Sequence, residues 1–206
     1  MRSEIKLFNM DCMDAMREME DDAFDLAIVD PPYGIDVTKM NMGSRKRAAE
    51  DKKKEWDCGV PTDEYFSELF RVSKNQIIWG GNYFKLPPSQ YFSIWDKGET
   101  MYGRDFAECE FAWIRSGGTR IFKKNPNQLD RIHPTQKPVA LYKWLLKNYA
   151  KEGDSILDTH LGSSSIALAC HDAGYDLTGY ELDEDYFQAA TMRLDEHRKQ
   201  GQFEFT

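Results

Sequence analysis

The sequence predicts an α/β fold built on a doubly wound, mostly parallel sheet, and three observations lead there. Short apolar runs of strand composition alternate along the chain with stretches of helical periodicity, the order that covers both faces of a parallel sheet. The run Phe24-Asp25-Leu26-Ala27-Ile28-Val29 closes on Asp30-Pro31-Pro32-Tyr33, and two prolines cannot continue a ladder, so a strand must stop at Asp30. Residues 155–181 read as strand, small-residue turn, helix and second strand, with an acid at the last strand's tip.

The other elements follow in order. Ile5–Asn9 has strand composition and leads into helical spacing over Cys12–Glu18. Residues 34–60 form a long polar loop rich in Lys and Met, with a short helix expected around Arg45–Lys54. Thr62 is placed to cap a helix carrying Tyr65, Phe66, Leu69 and Phe70 on one side. Asn75–Trp79 is the next strand, stopped by Gly80-Gly81, and Tyr91–Trp95 another, stopped by Asp96-Lys97-Gly98. Phe106–Ile114 alternates enough to suggest a strand near the sheet edge, with Thr119–Phe122 paired to it. A basic connector over 123–134 precedes a helix over Pro138–Ala150. Then come the strand 155–158, the turn Gly162-Ser163-Ser164-Ser165, a helix over Ile166–Ala173, the strand Leu177–Glu181 and a helix over Asp185–Lys199. No repeat, low-complexity tract or linker divides the chain, so residues 1–206 are expected to form one domain.

Composition narrows the function classes. No apolar stretch approaches the ~20 residues of a membrane span and the first residues hold no apolar signal core, which predicts a cytoplasmic protein with no membrane partner. Cys12, Cys58, Cys109 and Cys170 are scattered with no Cys-x-x-Cys pair, arguing against zinc and against a disulfide framework. The four histidines are too isolated for a metal triad; His171 and His197 fall on helices as surface or packing residues, and His133 and His160 fall inside motifs. The net charge of −8 is unevenly spread. Residues 39–54 set Lys39, Arg45, Lys46, Arg47, Lys52, Lys53 and Lys54 against Glu50 and Asp51, a local charge of +5. Residues 115–137 set six basic residues, Lys123 and Lys124 among them, against Asp130, again +5. Two concentrated basic segments, 34–60 and 115–134 as loops, on an otherwise acidic body suit local contact with phosphates.

Two constellations carry chemistry. Asp30-Pro31-Pro32-Tyr33 offers a carboxylate, a carbonyl on a backbone of restricted φ and an aromatic face at one strand tip, where ligands bind in open α/β sheets. That set suits a planar base bearing an exocyclic amine. In the second, Glu181 lies 23 residues beyond Asp158, close to the offset of the acid that takes ribose hydroxyls in nucleotide-binding βαβ units. A pyrophosphate loop generally has three glycines, and this turn has only Gly162. A nucleoside cofactor without pyrophosphate, such as S-adenosylmethionine, fits better than a dinucleotide.

Together these residues resemble the amino-methylating DNA methyltransferases, in particular adenine-N6 members of the β class, in which the catalytic tetrapeptide comes early and the cofactor loop late. Asn9-Met10-Asp11-Cys12 is similar to the segment touching the cofactor adenine, and Asp30-Pro31-Pro32-Tyr33 to the catalytic motif in its adenine-type form. His133-Pro134-Thr135-Gln136-Lys137-Pro138 resembles the segment opening the helix before the cofactor strand, residues 158–165 the cofactor loop, and Gly179-Tyr180-Glu181-Leu182 the ribose-binding strand. Trp79-Gly80-Gly81-Asn82-Tyr83-Phe84 and Trp95-Asp96-Lys97 resemble small phage-type members. Thr159, His160 and Ser164 stand where the family has Pro, Phe and a second Gly, which predicts weaker cofactor affinity rather than a different cofactor.

The resemblance implies the Rossmann-like methyltransferase sheet in permuted motif order, S-adenosylmethionine as cofactor, double-stranded DNA as partner, no metal, and a homodimer by analogy alone. Asp30, Pro31, Pro32 and Tyr33 would act on the flipped adenine. Asp11, Cys12, His133, Thr135, Lys137, Asp158, His160, Gly162, Ser163, Ser164, Glu181 and Leu182 would line the cofactor, with Lys137 on its carboxylate. Lys39, Arg45, Lys46, Arg47, Lys52, Lys53, Lys54, Lys123 and Lys124 would meet phosphates. The N4 amine of cytosine, an RNA base or a protein glutamine presents similar chemistry. A DNA-binding regulator that has lost turnover and a nicotinamide-dependent oxidoreductase are the readings from other classes.

Overall fold

In a computed structural model, residues 3–34, 59–104, 107–126, 132–133 and 135–203 are described. They form one eight-stranded sheet. In chain order the elements are β1 (Ile5–Asn9), α1 (Cys12–Arg17), β2 (Phe24–Val29), α2 (Asp63–Val72), β3 (Ser73–Trp79), β4 (Tyr91–Asp96), β5 (Cys109–Ile114), β6 (Arg120–Lys123), α3 (Val139–Tyr149), β7 (Ser155–Asp158), α4 (Ser165–Ala173), β8 (Asp176–Glu181) and α5 (Glu184–Phe203). Two short 3₁₀ turns, Gly81–Tyr83 and Glu99–Met101, follow β3 and β4.

The strand order is β1-β8-β7-β2-β3-β5-β4-β6. The first five strands are mutually parallel, β5 is antiparallel to both its neighbours, and β6 runs parallel to β4. From β7 the chain winds outward through α4 to β8, and from β2 it winds the other way through α2 to β3. The paired strands β2 and β7 therefore flank the switch point, where open α/β sheets leave a crevice beyond the strand ends.

The period-2 pleat divides the core between the two faces. Leu26, Ile28, Ile77, Trp79 and Ile156 point into one layer with Leu141, Leu145, Ile166, Ala190 and Leu194 of α3, α4 and α5. Ala27, Val29, Ile78 and Leu157 point into the other with Met16 of α1 and Tyr65, Phe66, Leu69 and Val72 of α2. Each fully buried Leu or Ile contributes roughly 1.5–3 kcal/mol through apolar area removed from water. Thr62 caps α2 as expected, its Oγ accepting the Tyr65 N–H at 3.3 Å. Arg71, in the last turn of α2, donates to the Met16 and Met19 carbonyls at 2.6 and 2.7 Å, so α2 closes the carboxyl end of α1.

The predicted elements stand within a few residues of their expected bounds, with one correction in the sheet. β5 is interior, lying between β3 and β4, and the edge belongs to β6, which pairs with β4 rather than β5. The polar Glu110 makes this segment read as a half-solvated strand, but its side chain turns into the site described below. The expected helix around Arg45–Lys54 lies outside the described residues. Among the described residues no helix is long and apolar enough to cross a membrane.

Candidate active site

All eight strands meet one edge of the sheet, seven by their carboxyl ends. β1, β8, β7, β2 and β3 all end there, β4 and β6 end there too, and the antiparallel β5 begins there. The edge is acidic on one side and mixed in sign on the other, where lysines stand among Asp96, Glu99, Glu108 and Glu110. Asp11, Glu181 and Asp158 follow or close β1, β8 and β7 on one side; Lys97, Lys123 and Lys124 close or follow β4 and β6 on the other. Asp30 stands between them at the tip of β2.

Asp30 and Tyr33 are joined, the phenol donating to Asp30 Oδ1 at 2.6 Å. The Lys137 ammonium donates to Asp30 Oδ2 at 2.5 Å and lies 3.0 Å from Glu110 Oε2. Glu110 also takes Lys97 on its other oxygen at 2.9 Å. Lys137 is only 3% exposed and also lies over the Trp79 ring. Burial pushes its ammonium toward the neutral form, but Asp30 and Glu110 more than offset this and leave the pKa raised. Burial likewise raises the Asp30 carboxyl; Lys137 opposes the rise without cancelling it.

The Tyr33 ring stacks on Tyr83, centroids 5.1 Å apart and planes 14° from parallel, with Phe84 edge-on. Gly80 holds the ring from behind. A Cβ there would lie 2.2 Å from Tyr33 Cε1, and φ is +68°, so no larger residue fits without displacing the ring.

The expected cofactor loop wraps the tip of β7. Asp158 is buried and its Oδ1 accepts the His160 N–H at 3.0 Å. Its pKa is pushed up to about 8, first by burial and then by the nearby charges of Asp30 and Glu181. His160 sits edge-on to Tyr65 and shares Thr159 with it: Tyr65 Oη lies 2.6 Å and His160 Nδ1 2.9 Å from Thr159 Oγ1. Burial lowers the His160 pKa to about 4, so the ring is neutral. Gly162 takes φ +51° and donates its N–H to Glu181 Oε2 at 2.8 Å, while Glu181 Oε1 accepts from Asp183 N at 3.0 Å. The His133 ring lies over Gly162, within 3.8 Å of where a Cβ would stand, and against Tyr186. Thr135 Oγ1 is 3.1 Å from His133 Nδ1. From α5, Arg193 fastens the loop by donating to the Ser163 carbonyl at 2.7 Å and to Ser165 Oγ at 2.9 Å.

Asp11 caps α1 by accepting the Met13 N–H at 2.8 Å. The Cys12 thiol beside it is pushed up to about 12 by burial and by Asp11, so it stays protonated and unreactive. Leu182 is 71% exposed beyond β8.

Ser164 shows how the loop departs from a glycine-rich design. It has φ +61°, where an L-residue is strained, and its buried hydroxyl makes no hydrogen bond among the described residues. Ser164→Gly removes both penalties, about 1–2 kcal/mol of strain and about 1–3 kcal/mol of desolvation, against a smaller entropic loss. The variant is expected to be more stable by roughly 1–3 kcal/mol in chemical denaturation; a lower midpoint would refute this account of the turn.

Comparison with known proteins decides the family. A DNA methylase family profile covering N6 and N4 enzymes matches residues 90–192, half of the chain. The chain belongs to this DNA methylase family. The type II methyltransferase M.HpaI of Haemophilus parainfluenzae is 24% identical over 241 residues, covering 92% of this chain and 74% of that protein. The crystal structure of the M1.HpyAVI–SAM complex superposes with TM-score 0.62 at 20% identity, covering 92% of this chain and 100% of the other. The cytosine-N4-specific PvuII DNA methyltransferase gives 0.62 at 11% identity, covering 93% and 86%. At these identities the two structures establish the shared methyltransferase fold.

In this DNA methylase the strand tips carrying the two expected constellations lie side by side; Glu110 and Arg193, which no motif contains, join them, as do Tyr83 and Lys97, whose motifs carry no expected site role. Lys137, expected on a cofactor carboxylate, has its ammonium between Asp30 and Glu110. Lys123 and Lys124 are exposed at the β4–β6 end of the edge, where Lys123 pairs with Glu99 at 3.1 Å and lies over Tyr102. Lys39, Arg45, Lys46, Arg47, Lys52, Lys53 and Lys54 lie outside the described residues.

Proposed function

We propose that this DNA methylase transfers the methyl group of S-adenosylmethionine to the N6 amine of an adenine flipped out of duplex DNA. The observation that carries the reading is the adjacency of two strand tips. Asp30 with Tyr33 at the end of β2 stands beside Asp158 and its loop at the end of β7, across the switch point of the sheet.

The acidic half of the edge fits the cofactor. S-adenosylmethionine carries a ribose diol and an α-ammonium, and Glu181 and Asp158 offer carboxylates at neighbouring strand ends. Gly162 leaves backbone beneath the amino-acid tail, and His160 with Tyr65 gives an aromatic wall. When bound, S-adenosylmethionine supplies an electrophilic methyl group on a sulfonium.

The rest falls to the chain's own groups. An exocyclic amine inside a duplex is out of reach, so the base must leave the stack at a cost of a few kcal/mol. Tyr33, braced by Gly80 and Tyr83, would stack on it. Asp30 and the Pro31 carbonyl would accept hydrogen bonds from the two amine N–H groups, turning the nitrogen lone pair out of conjugation and toward the acidic half of the edge; once the C–S bond breaks and the C–N bond forms, the one surplus proton would leave by way of the Asp30 carboxylate. This is positioning and preorganised electrostatics in a dry site. Lys123 and Lys124, with the basic residues of 39–54, would hold phosphates and so fix register without reading sequence. Asp at position 30 supports adenine, being the form associated with adenine in the resembling β-class enzymes.

The test is to incubate the protein with labelled S-adenosylmethionine and mixed-sequence duplex, then digest the DNA and identify the modified nucleoside. N6-methyldeoxyadenosine is expected. N4-methyldeoxycytidine would overturn the base assignment while leaving amino-methylation standing. Cofactor and DNA binding without any incorporation would instead identify a regulator on this fold.

A further inference from the structure

Between the two halves of the edge runs a row of alternating charges, Asp30, Lys137, Glu110 and Lys97, with contacts of 2.5, 3.0 and 2.9 Å; Lys137 is buried and the other three are half-buried. The four come from separate parts of the fold, the tip of β2, the approach to α3, the start of β5 and the turn after β4. A lysine this deeply buried needs one carboxylate for neutrality. This one has two, and the second is itself held by a second lysine.

We infer that Glu110, anchored by Lys97, is a positioning residue for methyl transfer: it shares Lys137 with Asp30, and so leaves the Asp30 carboxylate basic enough to accept a hydrogen bond from the amine of the target base. The inference rests on the amino-methylation reading above. Tyr33 on Oδ1 and Lys137 on Oδ2 already occupy one lone pair on each Asp30 oxygen, and the charge of Lys137 draws electron density from what is left for the base. Were Glu110 neutral, the whole charge of Lys137 would fall on Asp30 and further weaken it as an acceptor.

The groups facing Asp30 are Lys137, Glu110 and Tyr33, with Asp158 of β7, Tyr65 of α2 and Tyr142 of α3 behind them. Lys137 favours the ionised carboxyl, and Glu110 and Asp158 oppose it. Removing the Glu110 charge must therefore move the Asp30 titration to lower pH.

The double variant Lys97→Met/Glu110→Gln removes one charge of each sign and leaves the Asp30–Lys137 pair intact, so it should fold where Glu110→Gln alone strands Lys97. Its kcat is expected to fall about tenfold, equivalent to about 1.4 kcal/mol, with KM for S-adenosylmethionine unchanged. The acid limb of the rate profile should move down by about one pH unit. Carbon-13 NMR titration of the Asp30 carboxyl in the free protein should show the same downward shift whether or not any DNA is methylated. That readout separates failure of this inference from failure of the activity. An unmoved or raised Asp30 titration would overturn the inference, as would an unchanged kcat. A fall in kcat with no movement of the acid limb would reduce Glu110 to a packing role and overturn it equally.

Discussion

Asp30→Ala is expected to abolish methyl incorporation into DNA while leaving S-adenosylmethionine binding within a few-fold of wild type. Loss of one preorganised partner in a dry site costs about 10²–10³-fold in rate, and Asp30 does more than a single partner. Its carboxylate is the proposed acceptor for the amine, the acceptor for the Tyr33 hydroxyl and one of two counter-charges on Lys137. The alanine variant thus frees the stacking ring and unbalances a buried lysine at once. Breaking such a pair destabilises by about 3–5 kcal/mol, although Glu110 still faces Lys137 and softens the loss. Asp30→Asn keeps the shape and an acceptor oxygen, so it separates chemistry from folding: rate should fall as far, with the thermal midpoint closer to wild type. The proposed cofactor contacts lie on β1, β8 and β7, and calorimetry should find them intact. Robust turnover by either variant on adenine-containing duplex would end the proposed role of Asp30.

The charge division along the edge resolves what the net charge of −8 obscures. Acids on β1, β8 and β7 gather where a cationic nucleoside would sit, whereas at the β4–β6 end Lys97 and Lys123 are paired with Glu110 and Glu99. The same division argues against a dinucleotide, whose pyrophosphate would lie among carboxylates.

The strand ends were legible in the sequence because their punctuation is local. Two prolines stop β2, paired glycines stop β3, and the small-residue turn between Asp158 and Glu181 announces a βαβ unit. The row Lys137–Glu110–Lys97 was not legible, because it arises from the antiparallel insertion of β5 between β3 and β4. That pairing carries Glu110 from an apparent edge strand into the interior, and nothing within residues 109–114 indicates which strand lies alongside. The brace on Tyr33 is a middle case. The glycines after Trp79 signalled a turn, but their closeness to Tyr33 follows only once β3 lies beside β2. Ser164 stands out in the sequence as a departure, but its positive φ and its buried hydroxyl, unpartnered among the described residues, are properties of the folded turn.

Asp158→Asn is expected to stabilise the cofactor-free protein at alkaline pH and to remove the pH dependence of cofactor affinity. In the folded protein the Asp158 carboxyl titrates near 8, against an ordinary 3.8. Between those values the folded state holds a proton that the unfolded chain has released. The stability this proton confers is complete below the unfolded pKa, falls by about 1.4 kcal/mol per pH unit on the way up, and is gone once pH passes the folded value. Wild type and variant should therefore differ little near pH 4, and the variant should gain by several kcal/mol by pH 8, less whatever its new amide N–H groups cost. Cofactor binding runs the other way. An α-ammonium placed on Asp158 favours the ionised carboxyl, so binding expels the proton and wild-type affinity should rise about tenfold per pH unit from 6 toward 8. The rise should level off there, because a free α-amino group loses its own proton at about pH 8. Calorimetry in buffers of different ionisation enthalpy should detect close to one proton released at pH 7 by wild type and none by Asp158→Asn. A wild-type affinity flat between pH 6 and 8 would mean that the cofactor's ammonium does not rest on Asp158, and the cofactor contacts proposed around β7 would have to be redrawn.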